Sequence, residues 1–299
     1  MKALVKIASG IELQDLPEPA IQSEDQVKIR ITRAALCRTD LYVADGSIKV
    51  SPLTILGHEA AGIIEESGSA ACPHQPGDRV VIDPLITCGH CSGCTSANRH
   101  LCESSTFLGI DTHGAFAEYI VLSANQVHQI TDNLDFDQAI YAEPLAATRA
   151  VLQNLKKSSE PILVYGNGRI AELTAHVLRS AGFCPTLEPS ERNYKMVIEA
   201  AESVEGISQA LKFVQPGGKL IVKSRHPDDL SLPLLDLVQK RLNLESVYYS
   251  PFEEALNDLK QQRDFISTLL GNHWKLEDYA QAFAEAKASE ARKTLFTFD

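Results

Sequence analysis

The sequence has 299 residues, of which 44% are hydrophobic and 22% charged, and its formal net charge is −11. These proportions are typical of a globular protein with room for two domains. Lysines and arginines are scattered along an acidic chain, which argues against the basic surface of a nucleic-acid-binding protein. No apolar run approaches the ~20 residues of a membrane-spanning helix. The first residues alternate like a strand and lack the apolar core of a signal peptide, so the predicted compartment is the cytoplasm.

The first half of the chain reads as β-structure. Short alternating segments at 2–7, 26–36, 60–66, 79–83 and 116–122 are bounded by turn residues. From residue 161 the pattern changes to strands alternating with helices, which is typical of a parallel sheet. Strands are predicted at 161–166, 183–188, 194–200, 217–224 and 242–249, and helices at 169–182, 204–214 and 252–265. The tail from residue 274 predicts one more amphipathic helix and a closing strand.

Four of the seven cysteines lie within fifteen residues, in the segment C-G-H-C-S-G-C-T-S-A-N-R-H-L-C. They are Cys88, Cys91, Cys94 and Cys102. A tight loop with this spacing brings four thiolates around one ion, which is the arrangement of a structural tetrahedral zinc site. His90 or His100 could replace one thiolate, and an iron–sulfur cluster is a further alternative. We predict a structural zinc held by the four cysteines.

A second set of metal-binding residue types is spread more widely. Cys37 begins the segment C-R-T-D-L, and His58 and Glu59 follow in G-H-E-A-A-G. Glu143, in A-E-P-L-A, could supply a fourth ligand. One thiolate with harder nitrogen and oxygen donors suits a catalytic zinc that keeps a position open for water or substrate.

A glycine turn, G-N-G-R-I-A, follows the predicted strand at 161–166 and opens a helix. Gly166 permits a tight turn, and Gly168 lets the backbone approach a pyrophosphate at the positive end of the helix. Arg169 and Ile170 belong to the same turn, and Ala171 stands at the position of the third glycine. A strand before the turn and a helix after it favour a dinucleotide-binding site.

Together, these motifs and their order resemble the zinc-dependent medium-chain dehydrogenase/reductase superfamily, which includes alcohol, sorbitol and threonine dehydrogenases. The resemblance implies an α/β with β fold: a GroES-like β-barrel catalytic domain, and a truncated Rossmann doubly wound parallel sheet. The catalytic domain is expected at 1–147 and 252–299, and the shortened NAD(P)-binding domain at 148–251. The implied cofactors are two Zn²⁺ per chain and NAD(P).

The resemblance also implies roles for single residues. Cys37, His58 and Glu59 match the ligands of the catalytic zinc, on which the substrate oxygen would bind before hydride passes to the nicotinamide. Thr39 matches the hydroxyl that begins the proton relay, and Asp40 the carboxylate that orients the histidine ligand. Arg38 matches a residue that contacts the cofactor pyrophosphate.

The proton relay departs from the family pattern at one position. Many relatives carry a histidine where this chain has Tyr42. Proton exit is therefore expected to use water or cofactor hydroxyls. Alternatively, Tyr42 serves only as a packing residue.

The nucleotide-binding pattern is interrupted after the strand that ends at Glu188. Only seven residues, Pro189 to Lys195, separate Glu188 from Met196, whereas parallel neighbours need a connection of about a dozen or more. We therefore predict that the third strand of the Rossmann sheet and its flanking helices are deleted, which leaves about five strands with 183–188 at an exposed edge. Glu188 would accept the ribose hydroxyls and slightly favour NAD over NADP, while Arg192 could alternatively meet a 2′-phosphate.

Two functions are compatible with these features. The first is a zinc-dependent oxidoreductase that moves hydride between NAD(P) and a small alcohol, polyol or sugar alcohol. The alternative is a family member that has lost dehydrogenase activity and acts as a binding or regulatory module, as the deletion suggests. In either case an exposed edge strand predicts a homo-oligomer, either a dimer or a tetramer. The charge and hydropathy described above predict no nucleic-acid partner and no membrane partner.

Overall fold

The computed structural model describes residues 1–69, 72–96, 98–130, 134–190 and 193–298. The chain forms two compact units, the first made of Met1–Glu143 and Pro251–Asp299 and the second of Pro144–Ser250. In the described part of the chain, no helix combines the length and the apolar character that crossing a membrane requires. Arg192, named above as an alternative contact for a 2′-phosphate, falls outside the described residues.

The first unit is mainly β-structure. Its strands are β1 Lys2–Ile7, β2 Gly10–Asp15, β3 Gln26–Ala35, β4 Glu59–Ser67, β5 Arg79–Ile82, β6 Leu85–Ile86, β7 Thr106–Phe107, β8 Tyr119–Ser123 and β9 Val127–Gln129. Its helices before residue 142 are α1 Arg38–Asp45, α2 Ser92–Thr95 and α3 Phe136–Ala139. The chain passes into the second unit within helix α4, Ala142–Arg149.

The second unit alternates strands and helices. Its elements are β10 Ile162–Tyr165, α5 Arg169–Ser180, β11 Pro185–Thr186, β12 Tyr194–Glu199, α6 Glu205–Leu211, β13 Val214–Val222, α7 Leu234–Lys240 and β14 Asn243–Ser246. The chain then returns to the first unit with α8 Phe252–Leu269, β15 Leu270–Lys275, α9 Tyr279–Ala288 and β16 Lys293–Thr297.

A seven-stranded sheet organises the first unit, in the order β15-β16-β3-β4-β5-β9, with β8 also paired to β3. Strand β3 lies inside this sheet, where it pairs with β4, β8 and β16, and none of its ten residues is fully exposed. The returning strand β16 pairs antiparallel with the end of β3, so that Leu295 stands opposite Ala35. On its other side, Ala35 stands opposite Glu59 at the start of β4. Three distant parts of the sequence therefore meet at the end of β3.

The sheet of the second unit has five parallel strands in the order β11-β10-β12-β13-β14. Ile162 and Val164 belong to a buried cluster on one face, together with residues of α5. Leu163, between them in the sequence, belongs to a cluster on the other face with residues of α6. A parallel sheet covered on both faces has strands that are apolar throughout rather than alternating, as in I-L-V-Y.

The predicted shortening of this sheet is confirmed. Among the described residues it has five strands, and the segment predicted as a strand at 183–188 keeps only the two residues Pro185 and Thr186, at the edge beside β10. An edge strand that has lost its outer neighbour makes hydrogen bonds on one side only, which explains why so little of the segment is paired. The connection between Glu188 and Met196 contains no helix in its described residues.

Candidate functional site

The first ligand-bearing segment begins where β3 ends. The backbone N–H of Leu36 donates to the carbonyl of Thr294 at 3.0 Å, which ties this end of β3 to β16. Cys37 is the N-cap of α1, and its backbone N–H donates to the Asp40 carboxylate at 2.8 Å. This reciprocal cap fixes the turn, so the Cys37 side chain has a defined position.

The second segment enters β4 through Gly57, whose φ of +94° is a left-handed conformation. A Cβ at this position would overlap the ring of Phe116, so the turn requires glycine. The Gly57 N–H donates to the same Asp40 carboxylate, at 3.2 Å. Asp40 thereby joins the two segments that carry Cys37 and His58, which supports its predicted orienting role.

Ligand atoms of Cys37, His58 and Glu59 all lie within 4.8 Å of one another. His58 and Glu59 are buried, at 2% and 1% exposure. Glu59 Oε2 has no hydrogen-bond partner among the described residues, whereas His58 Nδ1 faces Asp40 Oδ1 at 3.4 Å. Buried polar atoms normally have a partner. Converging sulfur, nitrogen and oxygen donors, with one buried carboxylate oxygen that lacks a partner, therefore fit a zinc ion.

The charges of this cluster are strongly coupled. Burial acts to raise the pKa of the Cys37 thiol, but His58 and Lys293 stabilise the thiolate and hold that pKa at about 6. Burial opposes protonation of His58, yet Asp40 and Cys37 raise its pKa well above the ordinary value. Burial also raises the pKa of Glu59 well above its usual range. A thiolate available near neutral pH is the form in which cysteine binds metal.

Lys293, at the start of β16, is a member of the site that sequence reasoning missed. Its Nζ donates to Glu59 Oε1 at 2.5 Å, and each side chain is only 1% exposed. A buried ion pair of this kind leaves the second carboxylate oxygen of Glu59 for a metal. No local signal marks Lys293, because it opens an ordinary strand 234 residues away from its partner.

The other predicted residues of the catalytic domain lie at different distances from this cluster. Thr39 Oγ1 is 3.8 Å from Cys37 Sγ. Glu143 is buried on α4 and its charge raises the pKa values of Cys37 and Glu59, but it is not a member of the three-residue cluster. Its role as a fourth ligand stays a prediction.

Arg38, predicted to contact the cofactor pyrophosphate, forms an ion pair with Glu290 in the same unit. Burial acts to lower the pKa of Arg38, but Glu290 and, to a smaller extent, a hydrogen bond with Tyr42 at the position of the relay histidine raise it. Both residues are therefore part of one polar network on α1. Their predicted functional roles stay predictions.

The four-cysteine segment, here called the cysteine lobe (residues 88–102), brings its sulfurs together as predicted. The Sγ atoms of all four cysteines lie within 4.8 Å of one another, and none of them is in a disulfide. Cys94 Sγ is 3.5 Å from that of Cys91 and 3.7 Å from that of Cys88. Hydrogen bonds from the backbone of His90 and Cys91 lower the pKa of Cys88 to about 6. Four reduced, converging thiols fit a tetrahedral zinc ion.

An ion pair anchors the cysteine lobe to the sheet. Arg99 Nη1 donates to Asp83 Oδ2 at 3.0 Å, directly after β5. Within the lobe, Gly93 is required because a Cβ there would lie 2.8 Å from the backbone of Leu101. The sequence did not predict the ion pair of Arg99 and Asp83, because an arginine in a loop does not indicate which acid it will contact.

The glycine turn lies where the motif predicted it, between β10 and α5. Gly166 has φ +154°, and a Cβ there would overlap the carbonyl of Ala200. Gly168 is the N-cap of α5, and the buried Arg169 and the partly buried Ile170 begin that helix. The backbone of this turn fits the pyrophosphate of a dinucleotide, because a helix N-terminus stabilises an anion. A carboxylate oxygen of Glu202 would lie 2.5 Å from a Cβ at Gly168.

Glu188 stands just beyond the edge strand β11. Its side chain is exposed, and its backbone N–H donates to Thr186 Oγ1 at 3.3 Å. The position follows the strand next to the glycine turn, as expected of a ribose-binding acid. Its role in cofactor choice stays a prediction.

Comparison with known proteins agrees with this architecture. Residues 23–132 match the family described as alcohol dehydrogenase GroES-like domain. The chain is 27% identical to L-threonine 3-dehydrogenase of Paraburkholderia phytofirmans, in an alignment covering 99% of this chain and 98% of that protein. That alignment has 339 positions against 299 residues in this chain, so it contains gaps on this chain's side.

Two solved structures have the same fold. The 2R,3R-butanediol dehydrogenase of Bacillus subtilis superposes with a TM-score of 0.85 at 20% identity, covering 100% of this chain and 99% of that one. Acetophenone reductase of Geotrichum candidum, solved in complex with NAD, has a TM-score of 0.87 at 16% identity, covering 99% and 97%. Residues 23–132 therefore match the GroES-like domain of alcohol dehydrogenases, and the chain is similar in fold to these dehydrogenase structures, with a shortened Rossmann sheet.

Proposed function

We propose that this protein is a zinc-dependent oxidoreductase that moves hydride between NAD(P) and a small alcohol, polyol or sugar alcohol. The observation that carries the proposal is the buried cluster of Cys37, His58 and Glu59, in which Glu59 Oε2 has no hydrogen-bond partner among the described residues. Relatives named as threonine and butanediol dehydrogenases support a small hydroxylated substrate. The NAD bound by the acetophenone reductase structure supports a nicotinamide cofactor.

The side chains of the cluster have separable tasks. Cys37, His58 and Glu59 would hold the catalytic zinc, and Asp40 fixes the two segments that present them. When bound, zinc supplies a Lewis acid that lowers the pKa of an alcohol. Thr39 Oγ1, 3.8 Å from Cys37 Sγ, would take up the proton that such an alcohol releases.

We propose two zinc ions per chain, the second held in the cysteine lobe as a structural ion. We also propose NAD as the preferred cofactor, because an acid at Glu188 would accept ribose hydroxyls and repel the 2′-phosphate of NADP. Seven cysteines without a disulfide support the cytoplasm as the compartment, where thiols stay reduced. The two domains are proposed to divide at 147/148 and 251/252.

A homo-oligomer is part of the proposal. Strand β14 lies at the edge of the second unit's sheet. The neighbouring helix α7 exposes Leu234, Leu235 and Val238, each more than 60% exposed. An apolar group beside an unpaired strand edge favours a second copy of the chain. Light scattering should give a dimer or tetramer for the wild type, and a monomer for Val238→Glu.

The test of the proposed activity combines metal analysis with hydride transfer. Purified protein should carry two zinc ions and turn over at least one small alcohol with NAD or NADP. Cys37→Ser should lose one zinc and the turnover, whereas Cys184→Ser, at an exposed thiol outside both clusters, should lose neither. Thr39→Val should keep both zinc ions and lose turnover.

The short edge of the Rossmann sheet, β11, favours one alternative function, that of a zinc-binding module without dehydrogenase activity. This alternative predicts two zinc ions per chain, no bound NADH or NADPH at millimolar concentration, and no hydride transfer. Turnover abolished by Cys37→Ser would exclude it.

A further inference from the structure

The crevice beside the glycine turn lies at the switch point of the five-stranded sheet. From β10 the chain crosses through α5 to β11 on one side, while β12 lies on the other side of β10. Tyr165 and Glu199, at the carboxyl ends of β10 and β12, stand opposite each other. In open parallel sheets this crevice is where ligands bind, with phosphate at the helix N-terminus.

A carboxylate stands in this crevice. Glu202 follows β12, and its Oε1 would lie 2.5 Å from a Cβ added to Gly168. Gly168 is the N-cap of α5, a helix of twelve residues. Helix N-termini carry a partial positive charge that stabilises carboxylates and phosphates in the same way. The space that a side chain at position 168 would fill is therefore occupied by the carboxylate of Glu202.

The loop that carries Glu202 is held in place. Ala200 N–H donates to the Tyr165 carbonyl at 2.9 Å, and Ala201 N–H donates to Glu199 Oε1 at 2.6 Å. Glu199 is fully buried, and its other oxygen accepts a hydrogen bond from Ser224 Oγ at 2.6 Å. The backbone on both sides of the crevice is thus fixed, which directs Glu202 at the turn.

We propose that the Glu202 carboxylate occupies the anion position of the dinucleotide site, so that a nicotinamide dinucleotide binds only by displacing it. This rests on the proposed use of NAD(P). A carboxylate and a pyrophosphate repel each other and compete for the same helix N-terminus. Glu202 is then a specificity-determining residue that lowers affinity for every ligand carrying a pyrophosphate at this turn, whatever its adenine or nicotinamide contacts contribute.

The test is a binding measurement by calorimetry on the zinc-loaded full chain. Glu202→Gly removes the carboxylate, and Glu202→Gln keeps the side chain while removing its charge. We expect Glu202→Gly to bind NADH, NADPH and ADP-ribose about tenfold or more tighter than the wild type, and Glu202→Gln several-fold tighter. Adenosine, which lacks the pyrophosphate, should bind the wild type and both variants equally.

Glu172→Gln is the matched control. Glu172 is an exposed acid in the first turn of the same helix, so its replacement changes the charge near α5 by the same amount. It should alter dinucleotide affinity less than twofold. Equal thermal unfolding of the variants and the wild type establishes that they are folded, and Glu202→Gln serves if Glu202→Gly does not fold.

The outcomes separate this inference from the proposed function. Tighter binding by the Glu202 variants supports it, even where the wild type binds too weakly to measure. Wild-type affinity in both variants overturns the inference and leaves the dehydrogenase proposal standing. Failure of every variant to bind any dinucleotide overturns the inference and the use of NAD(P) together. An equal gain for adenosine also overturns it, because the effect would then not involve the pyrophosphate.

Discussion

Lys293 Nζ and Glu59 Oε1 lie 2.5 Å apart in an ion pair from which solvent is excluded. The lysine belongs to β16 and the glutamate begins β4. Strand β3 lies between these two strands and leads to Cys37, so the ion pair lies next to the metal-binding cluster. A buried charge is tolerated only when another charge or a metal compensates it.

Lys293→Met should therefore destabilise the protein. It leaves the Glu59 carboxylate buried without its lysine, which typically costs about 3–5 kcal/mol of unfolding free energy. Urea unfolding should show the larger loss in zinc-free protein, because a bound zinc replaces part of the missing positive charge. Lys287→Met makes the same change at an exposed lysine of α9, and should cost less than about 0.5 kcal/mol. Equal stability of the two variants would contradict the role given to Lys293.

Cys94→Ser should remove one zinc ion per chain. Cys94 belongs to the cysteine lobe, with its sulfur within 3.7 Å of those of Cys88 and Cys91. A tetrahedral site that loses one thiolate loses most of its affinity. Elemental analysis should give one zinc for Cys94→Ser and two for Cys184→Ser. Two zinc ions in both variants would exclude the cysteine lobe as a metal site.

Gly57→Ala should disturb the metal cluster more than an equally strained glycine elsewhere. Gly57 and Gly77 have φ values of +94° and +96°. A methyl group at Gly77 meets nothing within 4 Å, whereas at Gly57 it overlaps Phe116. Both alanine variants should lose about 1–3 kcal/mol through backbone strain. Only Gly57→Ala should also weaken zinc binding, since His58 follows it directly, and metal titration would detect the difference.

His128 should make the protein less stable in acid. Burial, with Arg99 and His74 nearby, lowers its pKa from 6.5 to about 4, and its ring stacks on Phe252 at 4.9 Å. The unfolded chain takes up a proton near pH 6.5 and the folded chain does not, so stability falls as pH drops from 6.5 toward 4. Between pH 7.5 and 5.5 this amounts to about 1 kcal/mol. His128→Gln should lose that part of the pH dependence in urea unfolding, and an unchanged slope would contradict the assignment.

The parts of the fold and site that sequence predicted are those with local signals. The cysteine spacing, the G-H-E segment and the glycine turn are each recognisable from a few consecutive residues. The predicted helix 252–265 extends to Leu269, and strand β15 follows without a sequence prediction. Residues 270–275 are mostly exposed or half-buried, so they lack the apolar alternation that marks a strand.

Residues that act through distant partners were not predicted. Lys293 pairs with Glu59 across 234 positions, and Glu202 reaches Gly168 because two parallel strands are neighbours. Such contacts depend on which strands pair, and local periodicity does not contain that information. The shortened sheet was an exception, since a connection of seven residues has too few residues for a helix whichever strands it joins.

The return of β16 to the first sheet sets an order of events during synthesis. At about 5–20 residues per second, a ribosome takes on the order of 10–50 s to proceed from Glu59 to Lys293. The whole of the second unit emerges in that interval, before the first unit has its last strand. The nascent chain therefore carries Glu59 without its counter-charge until Lys293 is made, and this ion pair forms only after every strand of the Rossmann sheet has been synthesised.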